Sequence, residues 1–308
     1  MKDYLIYDEI MKSMQHDEKE EWFNAMDKEL EMLANMESFE IVDRQKDEKF
    51  LKSTWFFWQK RYPDGSFRKY KAHFCVREDL QKQGIDFFET YSPDVSWITI
   101  RILLLLSCWP NLKTAYVDYT LAFVQAPIEN DKTCLKLPRR YKQEAKVLRL
   151  KRNVYGLRQA PLNFFNHLSH EFQDRGFQPS VFDPCLFINK EKKIIVLTYV
   201  HDCLIFAFDD KSIQDFIDSM KDNFLLDKED ELAGFLGIDI DDLVKRHFTL
   251  TQKGLINKII KATGLEDANP MATPTVKGAL GQDKDGQRCV EEWEYSSIVG
   301  MLMYLADN

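Results

Sequence analysis

The chain reads IIVLTYVHDCLIFAF from Ile194 to Phe208, and this stretch decides the fold. Two apolar runs rich in β-branched and aromatic residues flank a short polar break, which predicts a buried β-hairpin. The break contains His201 and Asp202. Burying hydrocarbon on both sides of ionisable groups costs free energy unless those groups find a partner or a metal ion. Two interpretations stay open at this point: a turn in which Asp202 bonds nearby backbone, or a turn that presents a carboxylate to a cation.

The composition is that of a globular chain with a large core. Its 308 residues allow one to three domains, and 44% hydrophobic with 30% charged residues exclude a disordered chain. The longest uncharged apolar run, Ile102 to Trp109, is too short to span a bilayer, and the charged N-terminal sequence is unlike a signal peptide. We therefore expect no membrane partner. Scattered cysteines without a CxxC pair favour reduced thiols in an intracellular protein.

Charge is unevenly distributed along the chain. The net charge of −8 argues against a nucleic-acid partner. However, Lys52 to Lys82 contains eight basic residues against three acidic ones, and Lys136 to Arg152 contains eight against one. From Asp202 to Asp242 the balance reverses, with thirteen acids and three lysines. This segregation fits phosphate binding beside a cation site, and solvated charged surfaces explain the same counts equally well.

Hydrophobic periodicity predicts helices that alternate with strands and hairpins, and no internal repeat. This order favours an α+β protein with a mainly antiparallel sheet. Besides the hairpin of the opening stretch, the pattern predicts helices over residues 17–37, 98–109, 160–175, 213–224, 253–264 and 293–305, a hairpin over 50–78, strands within 115–126, 147–157 and 231–251, and a linker over 265–290.

Nine short segments follow one another along the chain: PDG (63–65), KYKA (69–72), QGIDFFETYSP (83–93), TIR (99–101), VDYTLAF (117–123), VYGLRQAP (154–161), YVHD (199–202), FLG (235–237) and SIVGMLMYL (297–305). Together, and in this order, they resemble the reverse transcriptase domain of copia-type LTR retrotransposons, which is part of a Pol polyprotein. Each segment alone is a weak signal, but nine in sequence are a specific one.

The resemblance implies a right-hand polymerase with fingers, palm and thumb around an antiparallel palm sheet. It also implies a domain organisation for the whole chain. We expect an N-terminal helical segment over residues 1–49, a reverse transcriptase domain over 50–264 (fingers about 50–115, palm about 116–212, thumb-like part about 213–264), and over 265–308 a linker with a truncated connection towards a missing RNase H domain.

The implied activity is RNA-directed DNA polymerisation by two-metal nucleotidyl transfer. Its partners would be an RNA or DNA template-primer and dNTPs, and its location a cytoplasmic virus-like particle or the nucleus; the oligomeric state is left undetermined. Two metal ions clamp the attacking and leaving oxygens in such chemistry, and Mg²⁺ prefers carboxylate oxygens. Asp118 and Asp202 would supply them if their strands are neighbours, and by resemblance the carbonyl oxygen of Tyr119 joins them. The expected cofactor is Mg²⁺, or alternatively Mn²⁺.

The resemblance also implies a substrate pocket. Lys71 and Arg77 would hold the triphosphate, Arg by forked contacts and Lys as a point charge. Phe123 would pack under the sugar and exclude a 2′-hydroxyl, and Gln159 would contact the incoming nucleotide. Without the resemblance, Lys71 and Arg77 are better explained as exposed strand charges, Phe123 is equally well explained as a core aromatic, and Gln159 has the alternative of a solvent-facing loop amide. The basic run over residues 136–152 would meet nucleic-acid phosphates or simply be a solvated face.

The sequence departs from the family pattern at the hairpin turn, where His201 replaces the first of two adjacent aspartates. A neutral imidazole removes one negative charge, and it suits Zn²⁺ or Mn²⁺ better than Mg²⁺. Loss of one such electrostatic contribution costs a factor of about 10² to 10³ in rate. His73 stands where the family usually has Arg, and Glu78 where it has Gly. We expect severely impaired catalysis; the alternative is a non-catalytic nucleic-acid-binding or structural remnant.

Overall fold

The computed structural model describes residues 5–13, 16–46, 49–61, 67–108, 112–130, 132–141, 143, 145–229, 239–244, 247–271 and 295–307. The segments 63–65 and 235–237 of the resemblance lie outside these residues. The chain forms two units, Met1–Thr99 with Asn111–Glu229, and Ile100–Pro110 with Asp230–Asn308.

The described strands are β1 (Leu5–Ile6), β2 (Phe39–Asp43), β3 (Ser53–Arg61), β4 (Phe67–Val76), β5 (Lys113–Tyr119), β6 (Cys134–Lys136), β7 (Lys146–Leu150), β8 (Gln178–Pro179), β9 (Leu186–Asn189), β10 (Ile194–Tyr199), β11 (Asp202–Ala207), β12 (Leu226–Glu229), β13 (Asp239–Val244) and β14 (His247–Thr251). The described α-helices are α1 (Tyr7–Ser13), α2 (His16–Asn35), α3 (Trp97–Ser107), α4 (Ala122–Gln125), α5 (Ala160–Asp174), α6 (Asp210–Lys221), α7 (Lys253–Ala262) and α8 (Tyr295–Asp307). Helices and antiparallel sheets are mixed, as the pattern predicted.

A six-stranded sheet, in the order β12-β5-β11-β10-β9-β8, is the centre of the first unit. The stretch from Ile194 to Phe208 forms the β10–β11 hairpin of this sheet, with Tyr199 paired to Asp202 across a two-residue loop. Every residue of β11 after Asp202 is buried. Near-continuous burial explains why both runs of the stretch are apolar throughout and do not alternate with polar residues.

Helix α5 covers this sheet because its aromatic and leucine residues recur every four positions. Phe164, Leu168 and Phe172 are buried in one cluster with strands β5, β10 and β11 and with helix α6. The rings of Phe172 and Phe187 lie 4.9 Å apart, edge to face. Each such side chain stabilises the fold by about 1.5–3 kcal/mol through burial. The helix ends before Gly176, which has a φ of +84°.

The β3–β4 hairpin forms a second layer, which β1 extends and α2 covers. Trp22 of α2 is fully buried, and its ring lies 5.2 Å from Phe57 and 4.5 Å from Tyr70, both edge to face. This packing fixes β4, and with it Lys71, against α2.

Strands β2, β7 and β6 form a third sheet, and it contains much of the basic run over residues 136–152. Most of these cations are ion-paired with acids from the N-terminal part of the chain. The pairs are Arg139–Asp8, Arg140–Asp27, Lys146–Asp43, Arg149–Glu40 and Lys151–Glu40. Exposed pairs of this kind add only about 0–1 kcal/mol each, but they neutralise most of the run.

The second unit is described only in part. Strands β13 and β14 form an antiparallel pair within the region where paired strands were predicted, and α7 and α8 contact each other. Most of the predicted linker, residues 272–290, lies outside the described residues. Among the helices that are described, none has the length and apolar character to cross a membrane.

Candidate active site

The two predicted metal ligands occupy directly opposed positions of neighbouring strands. Asp118 in β5 pairs with Asp202 at the start of β11. The amide N–H of Tyr119 donates a 2.8 Å hydrogen bond to the carbonyl of His201, which extends the pairing into the turn. Directly paired residues point to the same face of a sheet. The main chain itself therefore brings the two carboxylates together.

His201 in the hairpin loop lies beside both carboxylates. Its Nε2 is 3.8 Å from Oδ1 of Asp118 and 3.9 Å from Oδ2 of Asp202. One ligand atom from each of the three residues lies within 4.8 Å of the others. The preceding loop residue, Val200, has a φ of +53°. Because β-branched residues rarely adopt this left-handed conformation, the turn is held under backbone strain beside the site.

Tyr116 is a site residue that the sequence reasoning missed. Its hydroxyl donates a 2.5 Å hydrogen bond to Oδ1 of Asp202. Residues two apart in a strand point to the same face, so Tyr116 and Asp118 share a face of β5. The alternation of side chains along β5 was therefore the sequence feature that could have identified Tyr116 as a site residue.

Strand β12 was also missed. It pairs with the free side of β5 and places Asp227 opposite Asp118. The side-chain hydroxyl of Thr120 donates a 3.1 Å hydrogen bond to Oδ2 of Asp227. Asp227 is exposed and lines the same cleft, but it does not belong to the group of three converging ligand atoms. A four-residue strand within a charged segment gives little signal in the sequence.

A cleft of about 950 Å³ opens beside Asp118, which lines it, whereas Asp202 is not among its lining residues. Lys71 and Phe123 both line it, together with Asp118 and His201. Burial lowers the pKa of the Lys71 ammonium, and the nearby charge of Lys60 lowers it further. Further basic residues of the β3–β4 hairpin line the same cleft: Lys60, Arg68 and Lys69.

Phe123 lies within an aromatic cluster at this cleft. Its ring is 5.3 Å from Tyr155 and 6.4 Å from Phe164, edge to face in both cases. Tyr119, by contrast, has a fully buried ring between Phe164 and Phe224. Burial raises the pKa of the Tyr119 phenol well above its usual value. The phenol of Tyr119 therefore belongs to the core, and the ligand role of its main-chain carbonyl oxygen stays a prediction.

His73, which replaces an expected Arg, has an acidic partner in the cleft wall. Its Nδ1 lies 3.0 Å from Oε1 of Glu29, a residue of α2 that is only 1% exposed. The imidazole also contacts the rings of Trp58 and Tyr155, at centroid distances of 5.1 and 4.9 Å. The substitution thus ties α2 to β4 by a buried polar contact.

Arg77 and Gln159 do not line this cleft within the described chain. Arg77 makes two 2.7 Å hydrogen bonds to the carboxylate of Asp79, which raise the pKa of its guanidinium. Gln159 is buried: its Oε1 accepts from Gln81 Nε2 at 3.2 Å, and its Nε2 donates to the Asp86 carbonyl at 3.4 Å. Glu78 is exposed beside Arg77. The nucleotide-binding roles of Arg77 and Gln159 stay predictions.

Comparison with known proteins shows to which protein family the chain belongs. Residues 36–277 match the family described as "Reverse transcriptase (RNA-dependent DNA polymerase)". The chain belongs to this family. It is 30% identical over 93% of its length to the Retrovirus-related Pol polyprotein from transposon RE1 of Arabidopsis thaliana, and 28% identical over 94% to that from transposon TNT 1-94 of Nicotiana tabacum. These matches confirm the resemblance drawn from the nine segments.

The chain spans only about a fifth of these relatives, 20% and 23% of their lengths. A solved structure of a foamy viral protease-reverse transcriptase in complex with double-stranded DNA is similar with a TM-score of 0.42 and 12% identity, over 79% of this chain and 38% of that one.

Reverse transcriptases generally use divalent metal ions, and the donor set of this member fits one. Asp118 and Asp202 offer hard carboxylate oxygens, and His201 adds an imidazole nitrogen at matching distance. Carboxylate oxygens suit Mg²⁺ and Mn²⁺. One oxygen of Asp202 already accepts the Tyr116 hydroxyl, which leaves the other oxygen directed towards His201. The three side chains are therefore compatible with a single divalent cation.

Proposed function

We propose that the chain is the RNA-directed DNA polymerase domain of a copia-type retrotransposon, with catalysis impaired at His201. The observation that carries the proposal is the direct pairing of Asp202 with Asp118, which lines a cleft together with several basic residues. Phosphoryl transfer requires a protein mainly to position its substrates and to offset charge. Opposed carboxylates and a facing set of cations supply both.

The carboxylates of Asp118 and Asp202, with the main-chain carbonyl of Tyr119, would hold Mg²⁺ or Mn²⁺. When bound, these ions would offset charge on the reacting phosphate oxygens. The hydrogen bond from Tyr116 holds the Asp202 carboxylate in one orientation, and the strand pairing holds Asp118 opposite to it. The site is thus oriented before any substrate arrives.

The rest of the cleft would bind substrate. Lys71 would bind the triphosphate of a dNTP, and the edge of Phe123 would pack under the sugar where a 2′-hydroxyl would otherwise fit. The partly desolvated ammonium of Lys71 supports this role, because a charge removed from water attracts an anion more strongly. In a right-hand arrangement, the β3–β4 hairpin would belong to the fingers, the six-stranded sheet to the palm, and residues 213–264 to a thumb-like part that guides the template-primer.

His201 limits this activity because the site has two carboxylates where the family has three. An imidazole beside Asp118 and Asp202 adds no negative charge to attract Mg²⁺, and as a borderline ligand it favours Mn²⁺. Loss of one charge-stabilising group corresponds to a factor of about 10² to 10³ in rate. We therefore expect weak activity in Mg²⁺ and a smaller deficit in Mn²⁺.

Primer extension on poly(rA)·oligo(dT) tests the proposal with the full chain. His201→Asp should raise the rate in Mg²⁺ by about 10²-fold or more, and the double variant His201→Asp with Asp118→Asn should lose that gain. Full activity of the unmodified chain in Mg²⁺ would contradict the impairment. Absence of product from both the chain and His201→Asp would contradict the polymerase proposal and support the alternative, a nucleic-acid-binding or structural remnant.

A further inference from the structure

A second, smaller pocket lies on the β2-β7-β6 sheet and shares no lining residue with the catalytic cleft. We call it the basic pocket; its volume is about 380 Å³. Three cations line it, and no acidic residue of the described chain does. The lining residues are Arg44, Phe50, Lys136, Leu137, Gln143, Lys146 and Val147.

Strand pairing fixes the positions of the three cations. The N–H of Arg44 donates a 2.8 Å hydrogen bond to the carbonyl of Ala145, which continues the β2–β7 ladder by one residue. Lys136 is paired with Val147 in β7, and its N–H donates at 2.9 Å to the carbonyl of Leu51. Three chain segments thus converge through backbone hydrogen bonds, so their side chains surround the pocket from fixed positions.

Two of these cations, Arg44 and Lys136, differ from the neighbouring basic residues because no carboxylate of the described chain forms an ion pair with them. Arg139, Arg149 and Lys151 are all ion-paired with carboxylates. The guanidinium of Arg44 lies over the ring of Phe50 at 4.6 Å, which orients its planar face and leaves its N–H edge for another partner.

Lys146 is partly neutralised. Its Nζ lies 2.7 Å from Oδ1 of Asp43, a side chain that is 81% exposed. An exposed pair is worth little in water. An anion in the pocket would therefore compete for Lys146 at small cost, whereas the carboxylate of Asp43 opposes such an anion.

We propose that Arg44, Lys136 and Lys146 form a phosphate-binding site outside the catalytic cleft. Guanidinium groups make forked contacts to phosphate oxygens and ammonium groups act as point charges, while the amide of Gln143 adds a neutral donor. The volume is at the low end for ligand sites, so it admits a phosphate or diphosphate group and no large organic molecule. The shared chemistry is a phosphoryl anion, and a backbone phosphate of nucleic acid is its principal source.

Salt-dependent binding of a single-stranded oligodeoxynucleotide tests the site in the full chain, with EDTA present so that the catalytic cleft holds no metal. The variant Arg44→Gln/Lys136→Gln/Lys146→Gln should weaken binding and reduce the slope of log K against log[salt] by up to about 0.7 for each phosphate that the variant no longer binds. The matched control, Arg139→Gln/Arg149→Gln/Lys151→Gln, removes the same charge from paired cations and should leave the slope nearly unchanged. Equal slopes for the pocket variant and the unmodified chain would overturn a nucleic-acid source.

Pyrophosphate titration by calorimetry is the second arm. If the pocket variant abolishes pyrophosphate binding but leaves the oligonucleotide slope unchanged, the site binds free phosphoryl anions. If the variant changes neither the slope nor pyrophosphate binding, the proposal is overturned. Asp43→Asn should tighten binding in whichever arm responds, because it removes the opposing carboxylate. Thermal melting checks that each variant is folded, and none of these outcomes depends on polymerase activity.

Discussion

The hydroxyl of Tyr116 donates a 2.5 Å hydrogen bond to Oδ1 of Asp202. Tyr116 lies in the strand that carries Asp118, so a single strand both contributes one carboxylate and orients the other. The contact crosses the β5–β11 pair on the sheet face that carries Asp118 and Asp202. It restrains the orientation of the Asp202 carboxylate.

Tyr116→Phe removes this restraint, and we expect the affinity for Mn²⁺ to fall by about tenfold or more, the usual cost of losing a partner that orients a metal ligand. Mn²⁺ titration followed by electron paramagnetic resonance measures it. Tyr91→Phe, at a residue that is 79% exposed, is the control. Unchanged affinity in Tyr116→Phe would show that the hydrogen bond does not act on the metal site.

Gln159→Leu tests whether the buried amide joins two loops or contacts a nucleotide. The change leaves the Nε2 donor of Gln81 without its partner, while Gln81 Oε1 still accepts from the Arg158 N–H; an unsatisfied buried donor costs about 1–3 kcal/mol. Urea denaturation should show that loss. Gln81→Leu should cost at least as much, because it also removes the acceptor of the Arg158 N–H, and the double variant should cost less than the sum of the two. A stable Gln159→Leu protein with a raised KM for dNTP would instead favour the nucleotide role.

Gly156→Ala should be among the most damaging single changes in the turn that holds Gln159. Gly156 has a φ of +82°, and an added Cβ would contact the carbonyl oxygen of Val76 and come within 2.9 Å of its nitrogen. Val76 cannot retreat, because its N–H donates a 2.8 Å hydrogen bond to Tyr155. Strained backbone and overpacking each cost about 1–3 kcal/mol. Thermal unfolding measures the loss; Gly254→Ala, with open space around it, is the control.

Stability at acidic pH should depend on Asp209. Its carboxylate caps helix α6, accepting hydrogen bonds from the Ser212 N–H at 2.7 Å and the Ser212 hydroxyl at 2.8 Å. These bonds lower the pKa of Asp209 in the folded chain. The contribution of this cap to the free energy of unfolding is therefore complete above about pH 3.9, the pKa of Asp in an unfolded chain. It disappears as the pH falls through the lower pKa that Asp209 has in the folded chain.

Asp209→Ala should accordingly be less stable than the unmodified chain at pH 7, and the difference should shrink below about pH 4. Chemical denaturation at a series of pH values measures both. Asp209→Asn keeps a capping oxygen without titrating, so its stability relative to Asp209→Ala should not vary over that range. A difference that is constant with pH in Asp209→Ala would contradict the cap.

The sequence of residues 194–208 was enough to predict the hairpin that they form, since both of its strands are apolar and its turn is polar. Its pairing with β5, which forms the site, was expected only because the family resemblance assigned a role to Asp118. Apolar spacing alone also predicted helix α5, whose buried face repeats every four residues. Local patterns of this kind need no knowledge of distant parts of the chain.

Pairings between residues far apart in the chain could not be predicted from such local patterns. Strand β12 is four residues long and charged, and only its partner β5 makes it a strand. The basic run over residues 136–152 gave no sign that acids of α1, α2 and β2 neutralise most of it, because those acids lie about a hundred positions earlier in the chain. Gln159 was expected to contact the incoming nucleotide, with a solvent-facing loop amide as the alternative, and its side chain is buried, where Gln81 and Asp86 satisfy its amide.

The position of β5 between β11 and β12 has a consequence for synthesis on the ribosome. Both neighbours follow it in the chain, and Asp118 is translated 84 residues before the Asp202 with which it pairs. At about 5–20 residues per second, β5 leaves the ribosome roughly 4 to 17 seconds before β11 does. During that interval neither edge of a largely apolar strand has its partner. The carboxylates of Asp118 and Asp202 can therefore come together only after β11 has left the ribosome, and until then the edges of β5 are open to pairing with other chains.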